Sequence, residues 1–388
     1  MWAGEHRKQT GTSSPSLRKE VGIDQQIRFA QTPDGVRIAY AVAGQGLPLV
    51  RAAHWLSHLE FDWRTSLWHP WLTGMAQRWT LIRYDQRGCG LSDRDTDGFS
   101  LDDWVCDLET VVDACGLERF ALAGMSQGGP VAIAYAAKHP ERVSHLILYG
   151  TYLRGRQAWS GSPQREVETE TLLRLIELGW GQPDSPYAEV FASQFLRRPD
   201  TEQRREFTEL QRLSASRATA AAIIREFDAV DVTELARRLV VPTLVMHARG
   251  DARVPFDEGR RVASIIPGAR LVALDGANHV LQASDPALDQ FLDAASEFLS
   301  TTADTAVRSR AAIAALTRRE RDVLELIARG CDNRNIAERL FISPATVRNY
   351  ITRLFAKLAV RNRAEAIVLA RRTGLGLGPG VQNREPGP

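Results

Sequence analysis

Cysteine is scarce in this chain of 388 residues: Cys89, Cys106, Cys115 and Cys331 are scattered and form no CxxC pair. That pattern predicts reduced, mostly buried thiols in a cytoplasmic protein. Long apolar runs are missing too. None could span a bilayer, so no membrane partner is expected. The first twenty residues, MWAGEHRKQTGTSSPSLRKE, lack an apolar core. They predict a disordered tail over 1–20 and not a secretory signal. Net charge is nearly absent as well, at +2, but that balance hides an uneven distribution. What remains is ordinary for a globular protein, with 44% hydrophobic and 25% charged residues. The length predicts two or three domains.

The charge is segregated. Residues 308–372 carry 15 Lys+Arg against 6 Asp+Glu, a net +9, and the rest of the chain is net −7. A basic module on an acidic body is the electrostatic footprint of nucleic-acid binding.

The basic segment also has the punctuation of a small helical domain. Thr317 followed three residues on by Glu320 is a capping box, with Val323, Leu324 and Ile327 at helical spacing and Gly330 as a stop. A second helix is predicted through Asn335–Leu340. Ser343-Pro344 supplies an N-cap and a first-turn proline for a third, Pro344 to about Leu358. On that helix Val347, Ile351, Leu354, Phe355 and Leu358 share a core face. Arg348, Asn349, Thr352, Arg353 and Ala356 point elsewhere. A face of arginine, asparagine and threonine has the donors and acceptors that major-groove base edges require. Asn333, Thr346 and Lys357 are candidates for phosphate contact.

Thr317-x-x-Glu320, Ile336-Ala337, Ser343-x-x-Thr346-Val347-Arg348 and Lys357-Leu358 resemble the LuxR-type helix-turn-helix family over roughly residues 316–372. The resemblance implies that the third helix reads double-stranded DNA. Arg348, Asn349 and Thr352 would take base-reading places and Lys357 a phosphate place. A fourth helix, about Arg363 to Arg371, would form a homodimer contact. RNA polymerase is a further partner to consider for such a regulator.

Upstream, Ile27–Ala43 reads as two strands about a Pro33-Asp34-Gly35 turn. Further strands are predicted at Leu49–Ala53, Thr80–Arg83, Phe120–Ala123, Val143–Tyr149, Thr243–His247 and Leu271–Leu274. Helices fall between them, including Leu101–Cys115 and Gly128–Lys138. Buried strands alternating with helices predict an α/β fold with a mostly parallel sheet covered on both faces.

Phe120–Ala123 runs straight into Gly124-Met125-Ser126-Gln127-Gly128. This is G-x-S-x-G between a strand and a helix, the context of a nucleophile elbow. Asp251 and His279 each follow a later predicted strand, in the order that a serine hydrolase of this architecture needs. Ser126 would attack a carbonyl, His279 would take its proton, and Asp251 would orient the histidine. The backbone N–H of Gln127 would be one oxyanion donor. Asp275 is a second, weaker candidate for the acid.

Together with Asp85-Gln86-Arg87-Gly88-Cys89-Gly90-Leu91-Ser92, which resembles a D-x-R-G-x-G-x-S turn, these residues resemble the α/β-hydrolase superfamily over about 24–300. The resemblance places the second oxyanion donor after the strand Leu49–Ala53, at Trp55. There the chain departs from the superfamily. Ala53-His54 stands where His-Gly is expected, and Arg51 puts a charge into a strand that should be buried. A non-glycine at His54 narrows the backbone conformations of that loop. Weak activity on generic esters is therefore expected, with His54→Gly raising the rate if the loop limits it. Arg51 reads as a buried ion-pair partner for Glu60 or Asp62 more readily than as a clamp for a ligand carboxylate. His54 and His58, with Glu60 and Asp62 nearby, have no clear third ligand, so no metal is expected. No motif calls for a cofactor.

Some ninety residues between Tyr149 and Thr243 are helical in pattern, with Leu172, Leu173, Ile176, Phe191, Phe195, Leu210, Ile223 and Ile224. Such an insertion would be a cap over Ser126, lining the pocket that holds a small-molecule effector. Trp159, Trp180 and Tyr187 are candidate pocket walls, with core packing as the commoner use. The expected organisation is a tail at 1–20, an α/β-hydrolase-fold sensing domain at 21–300 with its cap at about 152–238, a linker at 301–315, an all-α LuxR-type helix-turn-helix domain at 316–374 and a flexible tail at 375–388. The expected function is a transcription regulator whose hydrolase-like domain senses, and can hydrolyse, an effector. The alternative is an esterase-like serine hydrolase with an appended DNA-binding domain.

Overall fold

The computed structural model describes residues 23–375, apart from 55, 97, 156–162, 183–184, 315, 359, 361 and 373–374. The expectations placed on Trp55, Trp159 and the tails at 1–20 and 376–388 lie outside the described residues. The chain divides into two compact units, Met1–Ala295 and Ser296–Pro388.

The first unit is built on an eight-stranded sheet. The strands are β1 (Gln25–Gln31), β2 (Arg37–Ala43), β3 (Pro48–Ala52), β4 (Thr80–Tyr84), β5 (Phe120–Met125), β6 (Val143–Tyr149), β7 (Thr243–Ala248) and β8 (Arg270–Leu274), in spatial order β1-β2-β4-β3-β5-β6-β7-β8. β2 pairs antiparallel with β1 and β4, and every other pairing is parallel. The β1–β2 hairpin turns where Pro33-Asp34-Gly35 predicted it, with Gly35 at φ +93°. β5, β6 and β7 are almost wholly buried, as expected of parallel strands covered on both faces.

The helices of this unit are α1 (Leu59–Asp62), α2 (His69–Ala76), α3 (Leu101–Ala114), α4 (Gly128–Lys138), α5 (Pro163–Gly179), α6 (Pro186–Ser193), α7 (Thr201–Ser214), α8 (Arg217–Ala229), α9 (Thr233–Arg237) and α10 (Phe256–Ile265). α3 starts at a capping box between Ser100 and Asp103. α5 to α8 form the insertion between β6 and β7. Its apolar residues mostly pack on one another: Leu172, Ile176, Phe191, Leu210, Ile223 and Ile224 are all buried. Trp180 belongs to this interior, donating Nε1–H to the Ala215 carbonyl at 2.9 Å. Tyr187 packs against Gly179.

α11 (Pro286–Ala314) contains residues 301–314, which the sequence suggested as a linker, and the division between the units falls within it, after Ala295. The second unit continues with α12 (Arg318–Ala328), α13 (Asn333–Leu340), α14 (Pro344–Leu358) and α15 (Arg363–Arg372). Thr317 and Glu320 close the predicted capping box, and Ser343 caps α14 through the Thr346 N–H at 3.1 Å. Val323, Leu324, Ile327, Ile336, Val347 and Leu354 are fully buried at its centre. Each such side chain contributes roughly 1.5–3 kcal/mol of hydrophobic stabilisation. Ile351 and Phe355 are only partly buried and pack against this centre. The turn between α13 and α14 is made by Phe341, in left-handed backbone at φ 55°.

Candidate functional site

Ser126 stands at the β5–α4 junction with φ 51°, one of two non-glycine residues with positive φ among the described residues. Its backbone is over-determined: its N–H donates to Tyr149 O at 2.9 Å, and its carbonyl accepts from Thr151 Oγ1 at 2.6 Å and the Gly129 N–H at 3.0 Å. Such a strained position persists only when its surroundings enforce it. The glycines around it are needed for room. A Cβ on Gly128 would sit 2.8 Å from Ala52 O, and one on Gly129 would meet Thr151 Oγ1 at 1.9 Å. α4 can therefore begin directly behind Ser126.

His279 and Asp251 follow β8 and β7. His279 Nδ1 and Asp251 Oδ2 are 2.7 Å apart. Asp251 Oδ1 accepts from the backbone N–H groups of Arg253 at 2.9 Å and Val254 at 3.0 Å. Burial pushes the Asp251 carboxyl up, but His279 and the Val254 N–H outweigh it and hold it below the usual carboxylate range. Asp275, the other candidate acid, faces solvent beside Arg249. Ser126, Gln127 and His279 line one pocket, whose apolar wall is Leu56, Trp68, Trp71, Phe195, Phe207 and Val280. Of the described insertion residues singled out from sequence, Phe195 alone reaches it. Trp68 and Trp71, at the N-cap and in the first turn of α2, come from a short helix that carries no sequence motif. Their rings stack at 5.7 Å, which fixes one side of the pocket.

The insertion is tied to the histidine loop. The carbonyl of Phe195 accepts the His279 N–H at 2.8 Å. Asn278 Oδ1 accepts the Arg197 N–H at 2.8 Å, and its amide donates to Asp285 at 2.9 Å. Glu206 of α7 accepts from the Ser66 N–H and hydroxyl at 2.9 and 2.7 Å.

Behind the pocket lies a buried polar cluster. The expected ion pair between Arg51 and Glu60 or Asp62 does not form. Glu60 is exposed, and Asp62 is paired with Arg83 at 3.3 Å. Arg51 instead meets His54 Nε2 through Nη2 and lies over the Trp68 ring, 4.6 Å from its centroid. Burial lowers the Arg51 guanidinium to about 10, so it stays charged at neutral pH. Burial, and then the Arg51 charge, keep the His54 imidazole well below its usual range and therefore neutral. His58 N-caps α1. The Asp85 turn is structural in character: its carboxylate accepts from Ser57 Oγ at 2.8 Å and from the Leu59 and Leu91 N–H groups at 3.1 and 2.9 Å. Arg87 of the same turn meets Asp107, Asp34 and Asp103. Cys89 is buried, but Cys106, Cys115 and Cys331 are only partly so.

In the second unit Arg348, Asn349, Thr352, Arg353 and Ala356 are exposed along one side of α14. Thr346 is half-buried, its hydroxyl 2.8 Å from Ser343 Oγ. Two of the residues read as phosphate contacts have partners inside the unit. Lys357 Nζ lies 2.8 Å from the Glu320 carboxylate, and Asn333 Oδ1 accepts from Arg363 at 3.0 Å.

These features match known proteins. The model of the alpha/beta hydrolase fold family matches residues 57–286, and the chain belongs to that family. Residues 314–370 match the luxR family of bacterial regulatory proteins. The AB hydrolase superfamily protein YisY of Bacillus subtilis is 28% identical over 254 residues, covering 65% of this chain and 91% of the relative. A pyrrolizixenacetamide deacetylase of Xenorhabdus hominickii is 26% identical over 262 residues, covering 64% of this chain and 90% of the relative. Among solved structures, the esterase RhEst1 from Rhodococcus sp. ECU1013 is similar with a TM-score of 0.57 and 26% identity, covering 71% of this chain and 98% of the esterase. Among the described residues no helix is long and apolar enough to cross a membrane.

Proposed function

We propose that the chain is a DNA-binding transcription regulator whose hydrolase-fold unit senses a small acyl compound at Ser126. One observation carries this: a buried Asp251–His279 pair beside a strained serine, under a helical insertion, shares its chain with a luxR-family unit that exposes Arg348, Asn349 and Thr352. In this reading α14 enters the major groove with those three side chains toward base edges. α15 supplies a homodimer contact, and RNA polymerase is the partner of the DNA-bound form.

At the pocket, Ser126 is the nucleophile, His279 its base and Asp251 the group that orients the imidazole. The Gln127 N–H is a donor to the developing oxyanion. The apolar wall suits an ester or amide with a hydrophobic body, in keeping with relatives named as a deacetylase and an esterase. The hydrogen bonds from Phe195 and Asn278 connect the insertion to the histidine loop. They give a bound compound a route to bias the insertion's position. A second reading, a serine hydrolase with an appended DNA-binding unit, is favoured by the same Asp251–His279 geometry.

The test is selection of binding sites from a random DNA pool by the full chain. Enrichment of one motif supports the regulator. Retention of DNA without any enriched motif contradicts it.

A further inference from the structure

His54 stands one position before Trp55, from which the family resemblance expects a backbone donor to the reacting carbonyl, and Arg51 fixes the state of its ring. We propose that the His54 side chain, through Nδ1–H, is the second donor to the oxygen that becomes negative when Ser126 attacks a carbonyl. This rests on Ser126 being the nucleophile. In the step concerned the Ser126 Oγ–carbon bond forms and the carbonyl π pair moves onto oxygen. The serine proton passes to His279 Nε2. His54 donates a hydrogen bond and transfers no proton.

The tautomer follows from the partner. A guanidinium can only donate, so His54 Nε2, which meets Arg51 Nη2, must accept. A neutral imidazole accepting at Nε2 carries its proton on Nδ1. The two ring nitrogens lie on different edges, so Nδ1–H is directed away from the guanidinium. The ring is also a wall between two cavities. One contains Ser126, Gln127 and His279, and the other Arg51, Asp62, Arg83 and Asp85. Trp68 stacks on His54 with centroids 5.0 Å apart and so holds the ring in plane.

The cost of Arg51 supports a use. It is buried within β3, and its Nε has no hydrogen-bond partner. Among the described residues no carboxylate lies within ion-pair distance of it. Asp62 and Asp85 offset only part of the cost of burying it, and its guanidinium still stands below the usual range. Here its positive charge polarises the imidazole from behind and makes Nδ1–H a stronger donor. His54 and Trp68 stand between Arg51 and the pocket, so the guanidinium acts through the ring, as a positioning residue. The sign of one expectation therefore reverses. His54→Gly frees the backbone but deletes the donor, and it should slow acylation of Ser126.

The test uses the full chain in two arms. In the first, long-range proton–nitrogen correlation spectra of the 15N-histidine-labelled protein read the His54 ring. The expected result is a neutral ring with its proton on Nδ1 between pH 5 and 8, kept in Arg51→Lys and lost in Arg51→Met. A proton on Nε2, or a charged ring, overturns the proposal and needs no variant that alters folding. In the second, a fluorophosphonate reports the acylation rate of Ser126. His54→Phe should slow labelling ~10²–10³-fold, and His54→Asn, which can place an amide N–H near Nδ1, should recover most of the loss. Labelling of His54→Phe at the wild-type rate overturns the proposal while leaving Ser126 as nucleophile. A wild-type protein that labels elsewhere removes the nucleophile itself, and the two failures are thereby told apart.

Discussion

Lys357, near the end of α14, and Glu320, in the first turn of α12, form an ion pair 2.8 Å long between two helices of the C-terminal unit. The same carboxylate accepts the Thr317 N–H at 2.9 Å and so closes the capping box of α12. Lys357 first, and then the Thr317 N–H, pull Glu320 down to about 2. A carboxyl held below its unfolded value adds stability that is full above about 4.5 and is lost as pH falls toward about 2. We expect Lys357→Ala to raise the Glu320 midpoint toward its ordinary value and to flatten the acid limb of stability in that window. Carboxyl 13C titration of the full chain checks this. A midpoint that stays near 2 would show that the cap alone sets it.

The exposed side of α14 predicts two different effects on DNA. Arg348→Ala should cost ~1–3 kcal/mol on the selected site and relax its sequence preference. Lys357→Ala should weaken binding to all sequences alike and flatten its salt dependence. Binding titrations at several salt concentrations, on the selected site and on random DNA, separate them. Equal behaviour of the two variants would remove the base-reading role of Arg348.

Ser126, Asp251 and His279 predict a reactive serine. A fluorophosphonate should label Ser126 in the wild-type protein, and Ser126→Ala should abolish labelling. Asp251→Asn should slow it strongly, up to ~10⁴-fold, because the amide favours the wrong imidazole tautomer. Peptide mapping of the labelled site, with labelling kinetics, is the measurement. Unchanged kinetics in Asp251→Asn would show that the 2.7 Å contact is not used.

Much of this was legible in the sequence because local chemistry and tertiary structure agree. The capping box at Thr317, the serine at the β5–α4 junction and the strand ends before Asp251 and His279 are written in short patterns. The insertion was legible as helices, but its lining was not. Leu172, Ile223 and their neighbours pack on one another, and Trp68 and Trp71 reach the pocket from the start of the short helix α2. Arg51 was legible as an anomaly and misread as an ion pair, since Arg83, thirty-two positions along the chain and one strand over, takes Asp62. Likewise nothing local announces that α14 returns Lys357 to Glu320. In each case the deciding partner lies far away in sequence.

The central claim is that occupancy of the Ser126 pocket is coupled to DNA affinity. The most direct measurement compares affinity for the selected site before and after Ser126 is fully phosphonylated in the full-length protein, with Ser126→Ala exposed to the same reagent as control. The account predicts a change of at least about fivefold, the lower range of ordinary allosteric coupling, in the wild type only. Equal affinities of the phosphonylated and free proteins would contradict it.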